Sequence, residues 1–241
     1  VSARVTGTLL APVVAIRAER PGLGVGLRGV TATIRGQGTR YAIVARGGTD
    51  YGPFTADLLV STGPRLTADI RSARFAGIDF RGRVQQTAAG PFAGQLAFNG
   101  SGVNGTLQLA AQGSVQRADV NARAYNARVP GMVDFTIGRA IANASIVMLP
   151  SAPQIVADVQ LGDTRYGPTV IEAARAKVNY TGGRGTAQAL LTGSSGVPFR
   201  VALNARLSPN DYLVALQGMA NNIAFRTVNP ARVQAVRGAY R

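Results

Sequence analysis

Hydrophobic and polar residues alternate one by one along most of this chain. In Leu66-Thr67-Ala68-Asp69-Ile70-Arg71 the even positions are apolar and the odd positions are polar. Ile78, Phe80, Gly82 and Val84 alternate with Asp79, Arg81, Arg83 and Gln85, and Phe92, Gly94, Leu96 and Phe98 with Ala93, Gln95, Ala97 and Asn99. The same period returns in Val103, Gly105, Leu107, Leu109 and Ala111, in Val159 and Leu161, and in Phe199, Val201, Leu203, Ala205 and Leu207. Successive side chains of a strand point to opposite faces, so a period of two predicts strands with one apolar face and one wet face.

Turn signals separate these runs at intervals of roughly 10–16 residues. They include Gly47-Gly48, Thr62-Gly63-Pro64, Ala89-Gly90-Pro91, Asn99-Gly100-Ser101-Gly102, Gly182-Gly183 and Ser208-Pro209-Asn210. Spacing this short leaves no room for crossover helices, so the strands are expected to pair as an antiparallel meander. Two stretches are ambiguous. Val170 to Val178 reads as a short helix or a strand, with flanks that favour a strand, and Asn221 to Val236 is unresolved by pattern. Asp50-Tyr51-Gly52-Pro53 is echoed by Arg165-Tyr166-Gly167-Pro168, and Gly-Pro-Phe recurs at Gly52-Pro53-Phe54 and Gly90-Pro91-Phe92. Proline lacks an N–H and suits the first residue of a strand, so turn chemistry accounts for these echoes. The weak repetition lies near 37–125 and 154–228. Nothing in composition splits the chain, which reads as one elongated all-β segment over 1–241.

Composition agrees with strands and narrows the chemistry. The 241 residues are 46% hydrophobic and 15% charged, enough for a sizeable apolar surface and too few charges for a disordered polyelectrolyte. Cysteine and histidine are absent, which removes disulfides, thiolate metal sites and the commonest general base. No run of about 18 apolar residues is present to form a membrane-spanning helix. The net charge is +15, and Lys177 is the only lysine among the 26 basic residues. Such charge favours anionic partners, lipid headgroups or nucleic acid. An arginine-biased, solvated outer face explains it as well, and nucleic acid is not an expected partner.

Several motifs are set aside on context. Gly24-Val25-Gly26-Leu27-Arg28-Gly29 matches G-x-G-x-x-G, but an alternating strand follows where a dinucleotide site needs a helix. Ser194-Ser195 has no histidine to activate it and sits in a turn-like Gly193–Gly196 setting. The acidic residues are scattered singly, without metal-ligand spacing, and the tyrosines form no recognisable stacking platform. No catalytic residue, metal site or cofactor is expected, and the chain does not read as an enzyme.

The opening Val5-Thr6-Gly7-Thr8-Leu9-Leu10-Ala11-Pro12-Val13-Val14-Ala15-Ile16 resembles the "GTL…P" hairpin and alternating strand of TamB/AsmA-like proteins. Leu27-Arg28-Gly29-Val30-Thr31-Ala32-Thr33-Ile34-Arg35 is similar to the strand that follows it there, and Ala76 to Val84 and the glycine-rich meander to Ala124 share the texture. The resemblance implies a long antiparallel sheet curled into a U-shaped groove with an apolar inside. It implies a periplasmic segment of a longer protein, anchored in the inner membrane by a part outside this chain. The implied role is phospholipid movement between the two membranes, assistance to outer-membrane protein assembly and secretion, or both. The implied partners are phospholipid acyl chains and, through regions outside this chain, an outer-membrane assembly barrel.

The candidate groove lining is the apolar half of the best alternations: Leu66, Ile70, Ile78, Phe80, Val84, Phe92, Leu96, Phe98, Leu107, Leu109, Val159, Leu161, Val201, Leu203 and Leu207. In a closed sandwich or barrel these residues would instead pack against one another. The small residues expected on the same face (Ala68, Gly82, Gly94, Gly105, Ala111 and Ala205) favour an open groove, because they leave space that a filled core would occupy. Competing readings are an outer-membrane barrel, which shares the alternation but calls for aromatic girdles, and a secreted solenoid or adhesin passenger, which calls for a fixed short repeat.

Overall fold

The computed structural model describes residues 2–8, 10–19, 28–49, 52–128, 135–208, 211–236 and 239–240. They form strands, turns and short connections, with no helix among them. The chain divides into two units, Val1–Ser114 and Val115–Arg241.

Unit 1 holds β1 (Ser2–Thr8), β2 (Ala11–Ala18), β3 (Arg28–Gln37), β4 (Arg40–Thr49), β5 (Gly52–Thr62), β6 (Leu66–Phe75), β7 (Ile78–Gln86), β8 (Phe92–Gly100) and β9 (Val103–Gln112). Each strand pairs antiparallel with the next. Unit 2 holds β10 (Val115–Arg128), β11 (Phe135–Val147), β12 (Gln154–Tyr166), β13 (Thr169–Thr181), β14 (Arg184–Ser195), β15 (Val197–Ser208), β16 (Asp211–Ala220), β17 (Ile223–Arg226), β18 (Ala231–Val236) and β19 (Ala239–Tyr240). The meander runs on to β16. There it divides: β17 takes Gln217–Ala220 and β18 takes Asp211–Val214. Thr227 fills the gap between them, its N–H donating to the Leu216 carbonyl at 2.8 Å and its hydroxyl accepting from the Leu216 N–H at 3.1 Å.

Among the described residues of each unit, close contact between strands is confined to neighbours in one continuous ladder. Among the described residues β1 and β9 do not pair with each other, nor do β10 and β18, so neither unit closes into a barrel. Thr164 is the largest side chain that is fully buried among the described residues, and no large apolar side chain is. These are open, single-layer antiparallel sheets and not sandwiches with a sealed interior.

Bulges keep the apolar side chains on one face. In β6 the pairs Ile70↔Gly82 and Ala73↔Phe80 bracket one extra residue. Without it, every side chain beyond would change face. The surplus places Arg71 in solvent 3.7 Å from Asp57 and lets the Ser72 hydroxyl donate to Asp79 Oδ1 at 3.1 Å. Glu172 is the surplus residue of β13, between Ile171 and Ala173.

Two expectations change. Gly47-Gly48 is not a turn but part of β4. A Cβ on Gly47 would lie 2.7 Å from the Phe54 ring, so this glycine makes room for a cross-strand aromatic. Gly82 and Gly94 were expected to leave space for a groove. They have φ of +150° and +148°, and the neighbouring strand's backbone stands where a Cβ would go, so close strand approach requires them. Asn221 to Val236 contains β17 and β18, and Val170 to Val178 lies within β13. Pro209-Asn210, Asp50-Tyr51 and Gly24–Leu27 lie outside the described residues.

Candidate functional site

Away from the bulges and the positive-φ residues Asn126 and Asp163, the register assigns the strand residues to a face. In unit 1, Val14, Ile34, Ile43, Leu58, Ile70, Gly82, Leu96 and Leu107 are successive partners from β2 to β9. A parallel row runs through Ala56, Ala73, Phe80, Phe98 and Gly105, and another through Ala68, Val84, Gly94 and Leu109. Leu66, Ile78 and Phe92 lie at the ends of the same face. Every lining residue expected in unit 1 therefore shares one face. In unit 2 the central row is Ala122, Ala142, Val159, Ala176, Ala189, Leu203 and Leu216. Leu161, Val201 and Leu207 stand beside it, so the expected lining of unit 2 shares one face as well.

Pattern reading missed Val14, Ile34, Ile43 and Leu58 in unit 1 and Leu191, Val214 and Leu216 in unit 2. Ala42-Ile43-Val44 and Leu58-Leu59-Val60 are unbroken apolar runs in which the period disappears. Only the register separates Ile43 and Leu58, on the lining row, from Val44 on the opposite face.

Alanine reports the shape of each sheet, because its side chain is the same on either face. On the apolar face Ala118, Ala174 and Ala205 are buried, at 8%, 7% and 8% exposure. On the other face Ala97, Ala173 and Ala224 are exposed. A flat single layer would expose both faces alike, so each sheet curls over its apolar side. Among the larger apolar side chains of unit 1, Val84, Leu96 and Phe98 are the most sheltered, with the Phe98 ring 5.5 Å from that of Phe80. The rest of the expected lining is half-buried. Chemically, such a trough lowers the cost of holding apolar groups in water and does so without directional demands.

The opposite face carries the charge. Asp69 and Arg83 are register partners 3.4 Å apart, Asp158 and Lys177 are partners 3.9 Å apart, and Arg139 reaches Asp163 at 3.0 Å. Asp79 is partly buried, which pushes its carboxyl up, but the Ser72 hydroxyl and the Arg81 and Arg74 guanidiniums outweigh this and hold it below the ordinary 3.8. Hydrogen bonds from Arg117, at 2.9 Å for the nearest, lower the Asp119 carboxyl against a smaller effect of burial, with help from Ser145. Arg35, Arg123, Arg200 and Arg226 have no acidic partner among the described residues. Unit 2 also bears a depression of about 590 Å³ on this face, lined by polar side chains that include Asn121, Asn143, Asp158 and Lys177. Ser195 ends β14 with its hydroxyl 3.0 Å from that of Thr169.

Comparison with protein-family models, with curated proteins and with solved structures finds no match.

Proposed function

We propose that the apolar face is a sheltered path for lipid acyl chains in the periplasm. In this reading the chain is a conduit or scaffold segment of a TamB/AsmA-like envelope protein, not an enzyme. It serves phospholipid movement between inner and outer membrane, outer-membrane protein assembly and secretion, or both. The observation that carries the reading is a row of apolar partners spanning consecutive strands, most of them still half-exposed. An exposed acyl chain costs about 0.8 kcal/mol per methylene in water, and a curled apolar sheet lowers that cost along its whole width. The arginine-bearing face keeps the same ribbon wetted from outside and suits the anionic headgroups the tails belong to. A sealed sandwich would have used these side chains to fill itself.

Photo-crosslinking in cells tests the reading. A photoreactive residue at Phe80 or Leu107, on the apolar face, is expected to give phospholipid adducts, while Arg81 and Gln108, their sequence neighbours on the other face, give none. Equal labelling of both faces, or no lipid on either, would overturn it.

A further inference from the structure

The charged face of unit 2 breaks its own pattern across β14 to β17. A shallow depression of about 530 Å³ opens there, and its floor is largely apolar: Leu190, Ala202, Met219 and Ala224, with Gln217 beside them. Register places all of them on the face opposite the trough. Leu190 and Met219 are exposed, at 42% and 49%, whereas Leu203 and Leu216 on the other face are half-buried. Arg200 is the cross-strand partner of Met219, and Arg226 that of Gln217, so two guanidiniums stand at the rim. Neither has an acidic partner among the described residues, and no carboxylate lines the depression.

Uncovered apolar floor and uncompensated positive rim ask for complementary halves of one ligand. A guanidinium binds a carboxylate through paired, charge-assisted hydrogen bonds, and an alkyl chain is what flat alanine, leucine and methionine surfaces cover best. We propose that this depression binds a long-chain carboxylate of the fatty-acid class, its head held by Arg200 and Arg226 and its tail laid over Ala202, Leu190 and Met219. The site lies on the face away from the trough and stands whether or not the trough carries lipid.

The test is photolabelling of the purified chain with diazirine-bearing palmitic acid, with adducts mapped by mass spectrometry. Labelling is expected at the Leu190 and Met219 segments. It is expected to fall at least about fivefold in the R200Q/R226Q double variant, and to remain unchanged in Arg123→Gln, which removes one charge elsewhere on the same face. The diazirine-bearing alcohol of equal length is expected to label these segments at least about fivefold less than the acid. Met219→Glu, which puts a carboxylate on the floor, is expected to abolish labelling with the strand signal in circular dichroism intact. Equal labelling by acid and alcohol, an undiminished signal in the double variant, an equal loss in Arg123→Gln, or labelling only when the acid is carried in phospholipid vesicles would each overturn the assignment. Adducts at Leu203, on the trough face, are read separately and bear on the trough alone.

Discussion

The central row of the apolar face in unit 1 runs Val14, Ile34, Ile43, Leu58, Ile70, Gly82, Leu96 and Leu107; in unit 2 it runs Ala122, Ala142, Val159, Ala176, Ala189, Leu203 and Leu216. Both rows build a curled antiparallel sheet. Alternation alone therefore sets which face is apolar, and side-chain size sets what that face does next. Long side chains in unit 1 reach one another and partly cover themselves: Val84, Leu96 and Phe98 fall to 8%, 9% and 8% exposure. In unit 2 the buried apolar positions are mostly alanines: Ala127 at 2%, Ala174 at 7%, Ala118 and Ala205 at 8%, with Val147 at 6%. Unit 1 thus draws stability from its lining, while unit 2 keeps depth free above its own.

The largest effect expected from this contrast is in unit 1. Phe98→Ala removes a well-covered ring and its tilted partner contact with Phe80 and is expected to cost about 3 kcal/mol. Val159→Ala, a half-buried position of the unit 2 row, is expected to cost about 1 kcal/mol or less. Urea unfolding followed by circular dichroism measures both. Equal losses would mean that the two linings contribute alike and that size does not separate the units.

A pair of substitutions that add carbon sharpens the same comparison. Gly82→Ala sets a Cβ against the backbone of β8 at a φ of +150°, and is expected to cost about 2 kcal/mol. Ala176→Leu adds a larger side chain to the open alanine row and is expected to change stability by less than about 1 kcal/mol, since overpacking penalties arise only where space is already filled. A penalty for Ala176→Leu as large as that for Gly82→Ala would show that something covers the unit 2 face.

How far the sequence reaches follows from these same residues. Strand identity and the in–out assignment were legible wherever apolar and polar residues alternate cleanly, as from Ile78 to Val84 or Phe199 to Leu207, because a strand's period is two and register then has one sensible solution. The lining failed to show where apolar residues run together, as in Leu58-Leu59-Val60, or where alanine stands on both faces, as at Ala173 and Ala174. The phase change within β6, from even positions at Leu66, Ala68 and Ile70 to odd ones at Ala73 and Phe75, is visible in the sequence, but its cause is a bulge that only pairing reveals. The glycines misled for a related reason: Gly47 and Gly82 answer to a ring and a backbone on the next strand, which only the pairing register brings opposite them. The depression floored by Leu190 and Met219 had no local signal at all, since its parts come from four strands.

The charged faces offer the smallest difference between the units, and acid exposes it. Asp79 in unit 1 and Asp119 in unit 2 both hold their carboxyls below 3.8 in the fold. A carboxyl depressed in the folded state contributes stability that is present above its unfolded value and is lost as pH falls through the folded one. The midpoint of thermal unfolding is therefore expected to stay level from about pH 8 to 5 and to drop below about pH 4. Asp79→Asn and Asp119→Asn are each expected to flatten that drop while moving the midpoint little at pH 7, because the ion pairs involved are open to solvent. Asp119 owes its shift first to hydrogen bonds from Arg117 and to the charge of that one guanidinium, whereas Asp79 adds to the hydrogen bonds from Ser72 and Arg81 the charges of two guanidiniums, Arg81 and Arg74 at 3.3 and 3.7 Å, which salt screens. Raising salt to about 1 M should then weaken the acid dependence carried by Asp79 more than that carried by Asp119. The reverse order in the two single variants would place the stronger electrostatic grip in unit 2, where a lining of alanines leaves the charged face a larger share of the work of holding the sheet.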